Sequence, residues 1–111
     1  EALMLGVKAG VDLEVLRKAL VGSPCQSIML ERDLMGLLKE GDYDEGFAVA
    51  LACKDLKLAG DLARNVGVPM EVHAVVENVY RRARARYGDK AGEMIPAKLY
   101  EDDTKTPLRI N

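Results

Sequence analysis

From Phe47 to Tyr87 the sequence keeps a helical apolar period and is interrupted once, at Gly67-Val68-Pro69. Apolar residues recur at three- and four-residue spacing, which gathers them on one side of a helix with 3.6 residues per turn. Strand signals are nearly absent. The pattern predicts two long helices joined by a tight turn. The first is placed at about Phe47 to Asn65, with Leu51, Leu58, Leu62 and Val66 on or near one face. Pro69 suits the first turn of the second helix, where its missing N–H is no loss. That helix is placed at about Pro69 to Tyr87, with Val72, Val75, Val76, Val79 and Ala83 inward, and Gly88 stops it.

Gly and Pro punctuate the rest in the same way. Glu1 to Lys8 reads as the tail of a helix ended by Ala9-Gly10. Asp12 is placed as the N-cap of a short second helix, because its carboxylate can accept a free N–H of the first turn. Val15, Leu16, Ala19 and Leu20 are its apolar face. Gly22-Ser23-Pro24 closes it, and a third helix is placed from Pro24, carrying Ile28, Met29, Leu34, Leu37 and Leu38, with a break near Arg32-Asp33. Gly41 to Gly46 is the clearest loop. A last short helix is placed from Ala91 to Tyr100, and Asp102 to Asn111 reads as irregular. The expected architecture is all-α: one helical bundle over residues 1–100, then a polar tail over 101–111. A chain of 111 residues is the size of one domain and can bury one core.

With 31% charged residues and a net charge of −2, the chain is globular in composition and has no bias toward nucleic acid or an anionic membrane. No apolar run nears the roughly 20 residues a bilayer crossing needs. Cys25 and Cys53 lack metal-type spacing and read as reduced thiols of a cytoplasmic protein. His73 is the single histidine, without ligand-spaced partners, so no metal site is expected. It reads as a helix-flank residue, and Cys53 as a small buried apolar side chain. Arg81, Arg82, Arg84 and Arg86 read as the solvated cationic end of a helix, which its dipole favours. The sequence opens inside a periodic stretch and is read as a truncated or processed chain.

The segment FAVALACKDLKLA, residues 47–59, resembles the aromatic residue and KDLxLA-type motif of the NAD(P)-dependent β-hydroxyacid dehydrogenases. That family includes 3-hydroxyisobutyrate, tartronate semialdehyde and 6-phosphogluconate dehydrogenase-like enzymes. The flanks are similar too. Glu1-Ala2 followed by Gly6, Lys8, Gly10 and Asp12 matches its EA…G.K.G.D segment, and Gly67-Val68-Pro69 its GVP turn. The likeness runs in order from Glu1 to about Tyr100.

The resemblance implies the all-α C-terminal domain of such an enzyme, on the substrate side of the cleft. The Gly-rich dinucleotide turn and the acid–base lysine of the family lie upstream of the position matched by Glu1, so no catalytic residue is expected in this chain. It further implies that Phe47 lies against nicotinamide and substrate, that Lys54 reaches the cofactor, and that Asp55 orders the substrate cleft from its far wall. NAD or NADP would serve the complete protein and would not be tightly held by this chain alone. The substrate would be a small 3-hydroxyacid, and the assembly a homodimer or larger homo-oligomer. Without the resemblance, Lys54 and Asp55 are an ordinary solvated pair and Phe47 a core anchor. A stand-alone oligomerisation module without catalysis is then the other reading.

Overall fold

A computed structural model describes residues 1–111. The fold is all-helical, with α1 at Ala2–Lys8, α2 at Leu13–Val21, a π-helical turn at Met29–Asp33, α3 at Met35–Glu40, α4 at Val49–Val66, α5 at Glu71–Tyr87 and α6 at Pro96–Thr104. Its contacts resolve into two compact units. One joins Glu1–Tyr43 with Ala97–Asn111, and the other is Asp44–Pro96.

In the first unit, α2 starts as the sequence dictates: Asp12 Oδ1 accepts from the Val15 N–H at 2.9 Å. Its buried residue, however, is Leu13, while Val15 is 61% exposed. The helix expected from Pro24 begins only after Ser27, and the break near Arg32-Asp33 falls at Leu34, between the π-helical turn and α3. The core of this unit is Met4, Leu13, Leu37, Leu38, Leu99 and Leu108. Leu108 belongs to the segment expected to be an irregular polar tail. That segment departs from the expectation: α6 runs on to Thr104, and the chain after it lies against α3, with the Ile110 N–H donating to the Leu38 carbonyl at 2.8 Å.

The second unit is a helical hairpin. Gly67, in the left-handed region at φ 75°, caps α4, and the chain re-enters a helix three residues after Val68. At the other end, residues 47–49 pair with 91–93 as one antiparallel bridge: Val49 N–H donates to Ala91 O at 2.7 Å and Glu93 N–H to Phe47 O at 2.8 Å. This fixes where α4 begins and leaves Phe47 just outside it.

The buried residues of α4 are mostly small, Val49, Ala52, Cys53, Gly60 and Ala63, with Leu56 half-buried among them. Helices meeting over such a face approach closely, so few large side chains fit between them. The roll of α5 follows. Of the residues expected inward, Ala83 is fully buried, but Val72 is 78% and Val75 65% exposed. His73 and Tyr80 turn inward instead, and burial pushes the Tyr80 hydroxyl pKa up. The apolar period of α5 was legible, but the side of the stripe that meets α4 was set by the small residues opposite.

Candidate cofactor-facing site

The largest aliphatic residues of α4 point away from its core side. Leu51, Leu58 and Leu62 do share one face, and they are 50%, 55% and 61% exposed. At about 100° per residue, Lys54 and Asp55 fall on the two flanks of that stripe. Both are exposed. Phe47, 42% exposed, stands two residues before the first residue of α4, on the extended entry segment. All three residues singled out from sequence are thus solvent-exposed and lie in one unit.

The electrostatics separate Lys54 from its neighbours. Lys57 Nζ lies 2.7 Å from Asp61 Oδ2, one turn on, and Arg64 reaches the same carboxylate at 3.1 Å. Asp61 is held below the usual carboxylate range, first by its hydrogen bond from Lys57. Lys54 and Asp55 have no hydrogen bond or ion pair with any side chain. An ammonium and a carboxylate on the same outward face, both unpaired and set among exposed leucines, are unusual on a free helix surface, where apolar residues normally turn inward. The arrangement suits a face that another body covers.

The chain's own residues fit a nicotinamide dinucleotide by chemistry. A free ammonium can meet a phosphate or ribose oxygen, and an exposed phenyl ring offers a flat, dry surface. No group of three or more His, Cys, Asp or Glu side chains is placed to hold a metal ion. Cys25 is exposed and Cys53 buried, both as free thiols. No helix is long and apolar enough to cross a membrane.

Two features escaped the reading of the sequence. His73 Nε2 lies 2.7 Å from the Leu56 carbonyl of α4, so it clamps the hairpin. In the other unit, Glu101 is 6% exposed and collects Tyr43 OH, Arg109 Nη1 at 3.0 Å and the Leu108 N–H at 2.6 Å. Arg109 also donates to the Leu37 carbonyl at 3.1 Å and to Tyr43 OH at 2.8 Å. Burial, with the Glu101 carboxylate beside it, pushes the Tyr43 pKa up. No local pattern signals this cluster, because its members are far apart in the chain.

Comparison with known proteins agrees with the motif. A family model described as NAD-binding of NADP-dependent 3-hydroxyisobutyrate dehydrogenase matches residues 1–100. The 2-(hydroxymethyl)glutarate dehydrogenase of Eubacterium barkeri is 33% identical over 85 residues, 77% of this chain and 28% of that protein. The mitochondrial 3-hydroxyisobutyrate dehydrogenase of Rattus norvegicus is 30% identical over 111 residues, 94% of this chain and 33% of that protein. The L-threonate dehydrogenase of Cupriavidus necator is 34% identical over 83 residues, 75% of this chain and 28% of that protein. The all-helical fold, the motif on α4 and these matches together set the class, that of the hydroxyacid-dehydrogenase-type sequences. The chain belongs to the 3-hydroxyisobutyrate dehydrogenase family, in its NAD-binding C-terminal-type domain. It spans about a third or less of the length of the curated relatives it matches.

Proposed function

We propose that this chain is the substrate-side helical domain of an NAD(P)-dependent 3-hydroxyacid dehydrogenase, and that the outward face of α4 closes the cleft over cofactor and substrate. The observation that carries this reading is the pairing state of α4: Lys54 and Asp55, the motif residues, are unpaired within an exposed apolar stripe, while Lys57 is bound to Asp61.

The cofactor supplies hydride transfer. Phe47 excludes water from one face of the nicotinamide and aligns it with the substrate. The Lys54 ammonium binds the cofactor's polar side, and desolvation on closure strengthens that contact. Asp55 faces the substrate end, where a carboxylate stabilises the ammonium of an acid–base lysine supplied by the rest of the protein. The substrate is a small 3-hydroxyacid, in keeping with the names of the relatives. The 111 residues alone are inactive, because the acid–base group and dinucleotide turn belong to the remaining length. Two unpaired cysteines support a reducing compartment, which we take to be the cytoplasm.

The exposed aliphatic residues of α4 and α5 favour a homodimer as the assembled state. They equally suit the other reading, a helical oligomerisation module without catalysis. One experiment separates the two. The complete polypeptide is assayed with a panel of small 3-hydroxyacids and with NAD or NADP, beside the 111-residue chain. Turnover by the complete polypeptide alone supports the dehydrogenase. No turnover by either, with sedimentation showing a stable dimer of the 111-residue chain, supports the module.

A further inference from the structure

We propose that His73 is a positioning residue for the cofactor-facing side of α4, acting through the Leu56 carbonyl to fix the roll of the helix and hence the direction of Lys54. The inference rests on the reading that Lys54 meets the cofactor.

The hairpin has a mechanical weakness. Close-packed helices ordinarily lock their roll by interdigitating large side chains. The inward face of α4 has few: its buried residues are Val49, Ala52, Cys53, Gly60 and Ala63, and the half-buried Leu56 is the one leucine among them. The large residues, Leu51, Leu58 and Leu62, are turned outward. With so few large side chains on α4 there, small rolls are weakly resisted, and a roll of 20° moves an atom about 6 Å from the axis by about 2 Å. Displacements of that size are costly for a contact that must meet a bound ligand.

The bridge to residues 91–93 anchors the start of α4, and His73 adds a directional constraint two turns further along. Its Nε2 stands 2.7 Å from Leu56 O. A carbonyl only accepts, so the ring donates through Nε2–H, and Leu56 O takes it beside its own helical bond. Leu56 directly follows Lys54-Asp55 in the motif. The approach is possible because α4 has a glycine one turn further on. A Cβ on Gly60 would stand 3.1 Å from His73 Cε1, against the ring itself. Glycine disfavours a helix interior by about 1 kcal/mol relative to alanine, so its presence there is explained by the seat it makes for the imidazole. A directional bond at one carbonyl sets roll and register together, which apolar contact with small side chains does not.

The test uses the complete polypeptide and reads binding by fluorescence titration with NADH or NADPH, alongside thermal melting. His73→Ala should weaken cofactor binding about fivefold, the equivalent of one hydrogen bond. His73→Gln, which keeps a donor at similar reach, should restore most of that loss. Gly60→Ala, whose Cβ would stand 3.1 Å from the ring and make it give by a few tenths of an ångström, should weaken binding in the same direction and serves if His73→Ala does not fold. The decisive comparison is a double-mutant cycle with Lys54→Ala. If His73 acts through Lys54, its effect on binding vanishes in the Lys54→Ala background, while any effect on melting persists in both. Equal weakening by His73→Ala in both backgrounds, or loss of melting temperature with binding unchanged, overturns the positioning role and leaves the cofactor reading of Lys54 standing. Unchanged binding in Lys54→Ala alone overturns both.

Discussion

Glu101 on α6 and Lys54 on α4 are both charged residues of helices, and their surroundings could hardly differ more. Glu101 is 6% exposed, and its carboxylate is held by Tyr43, Arg109 and the Leu108 N–H. No buried side-chain nitrogen or oxygen in the protein lacks a hydrogen-bond partner. Lys54 lies in the open, without a partner, among leucines that should have been buried. A buried charge must bring its compensation with it, because leaving water costs more than any single contact returns. An exposed charge in an apolar stripe has no such need until something covers it. The first pattern belongs to structure, and the second is the one we assign to recognition.

The largest effect that sharpens this contrast is expected in the Glu101 cluster. Arg109→Ala leaves a buried carboxylate without its cation and removes one of the bonds that tie the chain end to α3. We expect a loss of about 3 kcal/mol, discounted for the partial exposure of the arginine. Thermal unfolding followed by circular dichroism should fall by on the order of 15 °C for a domain of this size. A shift of a degree or two would mean that the cluster is ornamental.

Next comes the lysine pair on α4. In the complete polypeptide, Lys54→Ala should lower kcat/KM by on the order of 10²-fold, matching a charged contact worth roughly 2–3 kcal/mol. Lys57→Ala should stay within about twofold, since breaking an exposed i,i+4 pair costs only a few tenths of a kcal/mol. Equal, mild effects from both would return Lys54 to the status of a solvated surface charge.

The smallest effect tests surface pairing in α2. The Glu14 carboxylate, hydrogen-bonded by Arg17 at 2.9 Å, has its pKa lowered to about 2 from the usual 4.5. A depressed folded-state pKa stabilises above the unfolded value and is lost as pH falls through the folded one. The contribution should thus be complete above about pH 4.5 and fade toward pH 2. Acid titration of melting temperature should show this slope in the native chain and less of it in Glu14→Gln. Parallel curves would show that the pair contributes nothing.

What the sequence made legible was local. The αL turn at Gly67, the Asp12 cap and the existence of α4 and α5 follow from residues within a turn of each other. The roll of the hairpin was not, because Val72 and Val75 obey the same period whether the stripe meets α4 or solvent. Only the small residues across from them decide it. The Glu101 cluster joins positions 58 and 66 apart in the chain, from Tyr43 to Glu101 and from Tyr43 to Arg109, and no spacing announces such partners. Phe47, Lys54 and Asp55 came from likeness to a family motif. The structure adds their common exposure and the unpaired state of the two charges.

The central claim is that the outward face of α4 lines the cofactor cleft. A crystal structure of the complete polypeptide with its nicotinamide cofactor tests this directly. Lys54 Nζ should lie within hydrogen-bond distance of a cofactor oxygen, and the Phe47 ring in van der Waals contact with cofactor or substrate. A cofactor bound elsewhere, with Leu51, Lys54 and Leu58 facing solvent or only a second copy of the chain, would contradict it.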